Sequence, residues 1–185
     1  SMIFWGEKMK NELLKIIKSF SGNVFTLGIT DKDIIDSIQS NSNIDHFLML
    51  NINKKIEYDE SINYKPVKNV KIKKIKKKNK RKKIDFTLCE ISDCKAHFKT
   101  FINDTIYFTK KKVYYYGKTD EYDLDDLIKK YRRYNVIITI TKYSDEFILE
   151  IDTSCAKTNK IKSIFYRIID SISSFFDFLT DFLLS

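Results

Sequence analysis

The chain has 185 residues, of which 43% are hydrophobic and 14% aromatic, enough to bury a core and too many for a disordered chain. Only four glycines and one proline argue against a many-turned β-sandwich and against a glycine-rich linker. The net charge of +9 is localised: twelve of the 34 basic residues fall between Lys65 and Lys83 with no acid among them, leaving 22 basic against 25 acidic residues elsewhere.

Taken in order, Glu7 to Phe20 places Leu13, Leu14, Ile16, Ile17 and Phe20 on one face and Lys8, Lys10, Lys15 and Lys18 opposite, the pattern of an amphipathic helix. Ile3-Phe4-Trp5 is too short an apolar block for a secretory signal, and the expected compartment is the cytoplasm. Asn23 to Ile29 then predicts a strand that runs into Gly28. Asp31 is placed to cap a helix over residues 31 to 40 through Ile34, Ile35 and Ile38. Asp45 to Asn51 is apolar in its middle on both faces, as a central parallel strand would be.

Ile52 to Lys83 is irregular, with a short edge strand expected near Val67 to Ile75. Its end, KIKKKNKRKK, reads as a solvated loop whose like charges repel. If the protein binds nucleic acid, the binding residues are Lys73, Lys74, Lys76, Lys77, Lys78, Lys80, Arg81, Lys82 and Lys83, acting on phosphates.

Ile84 to Glu90 predicts another apolar strand ending on an acid, and Ile91 to Asp104 a helix with Cys94 and Phe98 inward. Thr105 to Tyr116 reads as a β-rich run closed by Gly117, Tyr122 to Tyr134 as a helix, and Val136 to Lys142 with Glu146 to Asp152 as a hairpin. Lys160 to Leu184 repeats apolar residues at spacings of three and four and predicts a long amphipathic helix. Three coverings are open to its apolar face: the chain's own sheet, a protein partner or second copy, and a membrane surface. Three aspartates and an arginine argue against its spanning a bilayer.

Strand and helix alternate and a terminal antiparallel hairpin follows, so the fold class is α/β, a three-layer doubly wound mostly parallel sheet ending in a hairpin. The expected divisions are an N-terminal helix at 2–20, the α/β domain at 21–156 with the basic loop at 65–83, and the C-terminal helix at 157–185. From about Asn11 to Thr153 this order resembles the class I S-adenosylmethionine-dependent methyltransferases, on NVFTLGI, DHFLMLN, IDFTLCE and YRRYNVIITITKYSDEFILEI. The resemblance implies a cofactor site at Gly28, Asn51 and Glu90. The family's first loop is glycine-rich, whereas Ile29 and Thr30 follow Gly28 here. Its second strand ends on an acid that grips the ribose hydroxyls, where Asn51 stands here, and an amide cannot accept from both as a carboxylate does. Its Asp/Asn-Pro-Pro-aromatic motif is absent after Leu88, where Cys89-Glu90-Ile91-Ser92 stands. The expectation is therefore a methyltransferase-like binding or assembly module without a cofactor. The alternatives are a methyltransferase with an atypical cofactor loop and a nucleic-acid-binding protein.

Other chemistry is thin. Cys94 and His97 share a helical face, the spacing of a thiol with a base, but such pairs are common by chance. Cys89, Cys94 and Cys155 have no CxxC spacing and, with only His46 and His97, imply neither disulfide framework nor metal site. The acids between Asp120 and Asp126 suit a helix N-terminus better than a calcium loop. Tyr114, Tyr115 and Tyr116 alternate in direction on a strand, so the three rings cannot form one base-stacking platform.

Overall fold

The computed structural model describes residues 2–50, 84–91, 105–106, 108–120 and 124–156, with eight further helical positions between 165 and 183. Its elements are α1 (Met2–Lys18), β1 (Gly22–Leu27), α2 (Lys32–Ser40), β2 (Ile44–Leu50), β3 (Ile84–Glu90), β4 (Thr109–Lys118), α3 (Leu124–Arg132), β5 (Ile137–Tyr143) and β6 (Glu146–Asp152). The six strands form one sheet in the order β2-β1-β3-β4-β6-β5. The first four are parallel, while β6 runs antiparallel to both β4 and β5.

Alternation along each strand divides the core in two. Val24, Phe86, Leu88, Tyr114, Tyr116 and Ile148 face α1 and α2, which contribute Leu13, Ile17, Ile34, Ile35 and Ile38. Phe25, Leu27, Cys89, Val113, Tyr115, Phe147 and Leu149 face α3, which contributes Leu127 and Tyr131. This is the three-layer α/β arrangement that the sequence predicts, with helices on both faces because a parallel sheet must be covered on both. At the sheet's amino end the Asp85 carboxylate accepts the Asn23 N–H at 2.9 Å and pairs with Lys111 at 3.4 Å. Gly22 sits there at φ 77°, where a Cβ would meet Asp85 Oδ2 at 2.3 Å.

Four details depart from the sequence reading. Among the described strands β2 lies at one edge rather than centrally, and Phe47 and Leu48 are only half-buried. The predicted strand from Thr105 begins at Thr109, because Thr105, Ile106 and Phe108 are helical and buried. The first helix starts at Met2, five residues earlier than the apolar face alone indicates. Tyr143 belongs to β5 and the hairpin turn is Ser144-Asp145, with Ser144 at φ 55°. The predicted helix after Ile91, the Val67–Ile75 strand and the basic loop lie outside the described residues.

Candidate functional site at the carboxyl ends of the parallel strands

From β1 the chain passes to β2 on one side and returns to β3 on the other, so the strand order reverses between β1 and β3. In open α/β sheets ligands bind at the carboxyl ends of the strands beside such a reversal. Leu27 registers with Cys89, so Gly28 and Glu90 leave adjacent strands side by side. Leu27 also registers with Leu50, the residue before Asn51; Asn51 itself lies outside the described residues. Two of the three predicted site residues are thus brought together.

The turn after β1 shows what this site is made of. Gly28 is buried at φ 72°, and Ile29 puts its whole side chain into the core beside α2. Asp31 then caps α2: its Oδ1 accepts the N–H of Asp33 at 2.9 Å and of Ile34 at 3.4 Å. Its Oδ2 pairs with Lys10 Nζ at 3.0 Å, and the same ammonium reaches Asp33 at 2.5 Å. The hydrogen bond to Asp33 raises the Lys10 pKa, and the Asp33 pKa falls in response. A helix N-terminus is a ready anion site through its free N–H groups and dipole. Here a carboxylate of the chain's own already takes two of those donors, and an amine covers its outer oxygen.

The rim continues on β3 and β4. Glu90 registers with Tyr116, and the Ile91 N–H donates to the Tyr116 carbonyl at 2.9 Å. Gly117 follows at φ 153°, where a Cβ would stand 2.7 Å from Ile91 Cγ2. This close approach was not foreseen; its only sequence signal was the glycine closing the β-rich run. Glu90, half-buried, puts a carboxylate on this rim.

The other candidates are dispersed. His46 is exposed and registers with Asn23 near the amino end of β1, away from Gly28 and Glu90. Cys89 is buried, and Cys94, His97 and the nine basic residues from Lys73 to Lys83 lie outside the described residues. Tyr115 is buried on one side of the sheet, Tyr114 and Tyr116 on the other, so none presents a face for stacking. The Tyr115 hydroxyl instead meets that of Tyr131, which also bonds Thr105 Oγ1 at 2.7 Å, and burial pushes both phenol pKa values well up. Asp125 and Asp126 lie in the first turn of α3, where they favour its dipole. Among the described residues no cluster of His, Cys, Asp and Glu could hold a metal ion.

No protein-family model matches the chain, and no curated protein does. Solved structures do. One is classed as a type 11 methyltransferase from Sulfolobus solfataricus, with 13% identity and a TM-score of 0.52 over 82% of this chain and 93% of that one. The methyltransferase domain of bacterial CtHen1 matches at 8% identity and TM-score 0.52, over 78% of this chain and 96% of that one. A protein assigned as a ribosomal RNA methyltransferase from Plasmodium falciparum matches at 11% identity and the same TM-score, over 83% and 97%. At such identities the likeness concerns the fold alone. The chain has a methyltransferase-like, Rossmann-type fold.

Proposed function

We propose that the chain is a methyltransferase-like module that binds or assembles with other molecules and does not transfer methyl groups. The observation that carries this reading is the self-closed turn: Asp31 takes the donors at the start of α2 and Lys10 holds its second oxygen. With Ile29 committed to the core and Gly28 the turn's single glycine, its residues do not fit S-adenosylmethionine. A binding role gains support from the C-terminal apolar stripe. Ile168, Ile169, Ile172, Phe175 and Leu183 are helical and between 38% and 78% exposed, an apolar face of the kind a partner surface covers. Among the described residues no helix is long and apolar enough to cross a membrane.

The test is thermal unfolding with saturating S-adenosylmethionine or its demethylated product. A ligand at about 100 times its Kd adds about 2.7 kcal/mol of stability and raises Tm by several degrees. An unchanged Tm is expected; such a rise with either ligand overturns the reading.

A second reading rests on the twelve bases between Lys65 and Lys83, a density suited to phosphate backbones. Deleting residues 73–82 would then remove any salt-sensitive RNA or DNA binding and leave the fold intact, whereas undiminished binding would place the site elsewhere.

A further inference from the structure

Among the described residues β5 closes one end of the sheet and is paired on its β6 side alone. Its sequence, IITITKY, is β-branched in its first five positions. Natural edge strands are usually blunted by charged side chains, lysine above all, and by proline, bulges, inward charges or short length. β5 has seven residues, an unbroken register with β6, no proline or glycine, and Lys142 as its one charge. Ile137 is 67% exposed.

The hairpin register fixes which backbone groups point outward. Tyr143 and Glu146 close a two-residue turn and exchange both hydrogen bonds, so Tyr143, Thr141, Thr139 and Ile137 turn their N–H and C=O groups toward β6. Ile138, Ile140 and Lys142 therefore turn theirs away from the sheet. An antiparallel strand centred on Ile140, the middle one of the three, would meet all of them and form about six ladder hydrogen bonds.

That centring makes the strand complementary to itself. A two-fold axis at Ile140 sets it against the partner's Ile140, and Thr139 against the partner's Thr141, a favourable cross-strand pair. Ile138 and Ile140 lie only half-buried at the margin of the α3-side core; across the axis the partner's Ile140 would extend that core at Ile140, while Ile138 would lie along the stem of the partner's Lys142. A foreign strand would have to supply this match independently, whereas a second copy supplies it by symmetry. We infer that two copies of this chain associate through antiparallel pairing of their β5 edges, forming one sheet through both. The association does not depend on whether S-adenosylmethionine binds.

Light scattering and sedimentation of the full chain, 22.0 kDa per copy, test it. Two copies per particle are expected. In the paired variant T139K/T141K each lysine would face another across the axis, and one copy is expected with Tm retained, because both threonines are exposed in the single chain. Mixing it with T139E/T141E should restore a mixed dimer. Amide exchange on the unaltered chain gives a second readout: Ile138, Ile140 and Lys142 should be protected as strongly as the amides facing β6. A single copy at concentrations up to about 0.1 mM, where a micromolar interface would be filled, overturns the inference. So does a dimer that T139K/T141K leaves intact, or fast exchange at those three amides, outcomes that would move self-association to the C-terminal helix.

Discussion

Lys10 and Asp31 form a 3.0 Å ion pair that joins the first helix of the chain to the cap of the second. The two oxygens of Asp31 do different work: Oδ1 accepts from the N–H groups of Asp33 and Ile34, and Oδ2 faces the ammonium. One carboxylate thus satisfies donors at the start of α2 and ties α1 to the same turn.

Removing that carboxylate should destabilise the protein while opening the turn. Asp31→Ala is expected to cost about 1 kcal/mol, the usual worth of an N-cap. Lys10→Met should cost less, because Asp33 is well exposed and Lys10 only partly buried, and such pairs contribute about 0–1 kcal/mol. The Asp33 pKa is depressed in the folded state, so its contribution is present above the unfolded carboxylate pKa and fades as pH falls through the folded value. Urea titrations at neutral and acid pH check both: the gap between wild type and Lys10→Met should narrow in acid.

Gly117→Ala should be costly for a different reason. The φ of 153° is poorly open to an L side chain, and the new methyl would stand 2.7 Å from Ile91 Cγ2. A loss of about 1–3 kcal/mol is expected from the backbone conformation alone. Pairing it with Ile91→Ala should relieve the contact but not the backbone strain, leaving the double variant less stable than Ile91→Ala alone.

The hydroxyl of Tyr131 bridges Tyr115 and Thr105 inside the core under α3. Tyr131→Phe keeps the ring and deletes the bridge, so a loss of about 1–3 kcal/mol in chemical unfolding is expected. A near-neutral result would mean the network contributes little beyond packing.

Glu146, at the start of β6, has an oxygen buried without a hydrogen-bond partner, and burial followed by nearby Asp145 raises its pKa. A raised carboxyl pKa favours folding below the unfolded value and is a liability once pH passes the folded value. Glu146→Gln should therefore match wild type in acid and equal or exceed it in stability at neutral pH. Melting curves at both pH values check the sign.

Much of this architecture was legible because period-2 and helical patterns are written in side chains that the core must bury. Val24, Phe25, Leu27, Leu88 and Cys89 are all inside as their runs imply, and Leu88→Ala should cost about 2–5 kcal/mol. Asp31 as a cap was equally readable, since an acid just before an Ile-Ile-x-x-Ile face has a known task at a helix start. The place of β2 at the edge of the described strands was not, because an apolar middle does not say how many neighbours a strand has. Thr105, Ile106 and Phe108 misled because β-branched and aromatic residues pack equally well in buried helical positions. Lys10 as the second half of the cap was invisible, since nothing local to either residue records a contact 21 positions away. Gly28 and Glu90 were found as a pair only through the order of elements.

Titration calorimetry of S-adenosylmethionine into the full chain tests the central claim most directly. The closed turn predicts no saturable heat at micromolar concentrations for the wild type. Saturable binding with a micromolar Kd, weakened by Glu90→Ala, would contradict it and place a working cofactor site beside Gly28.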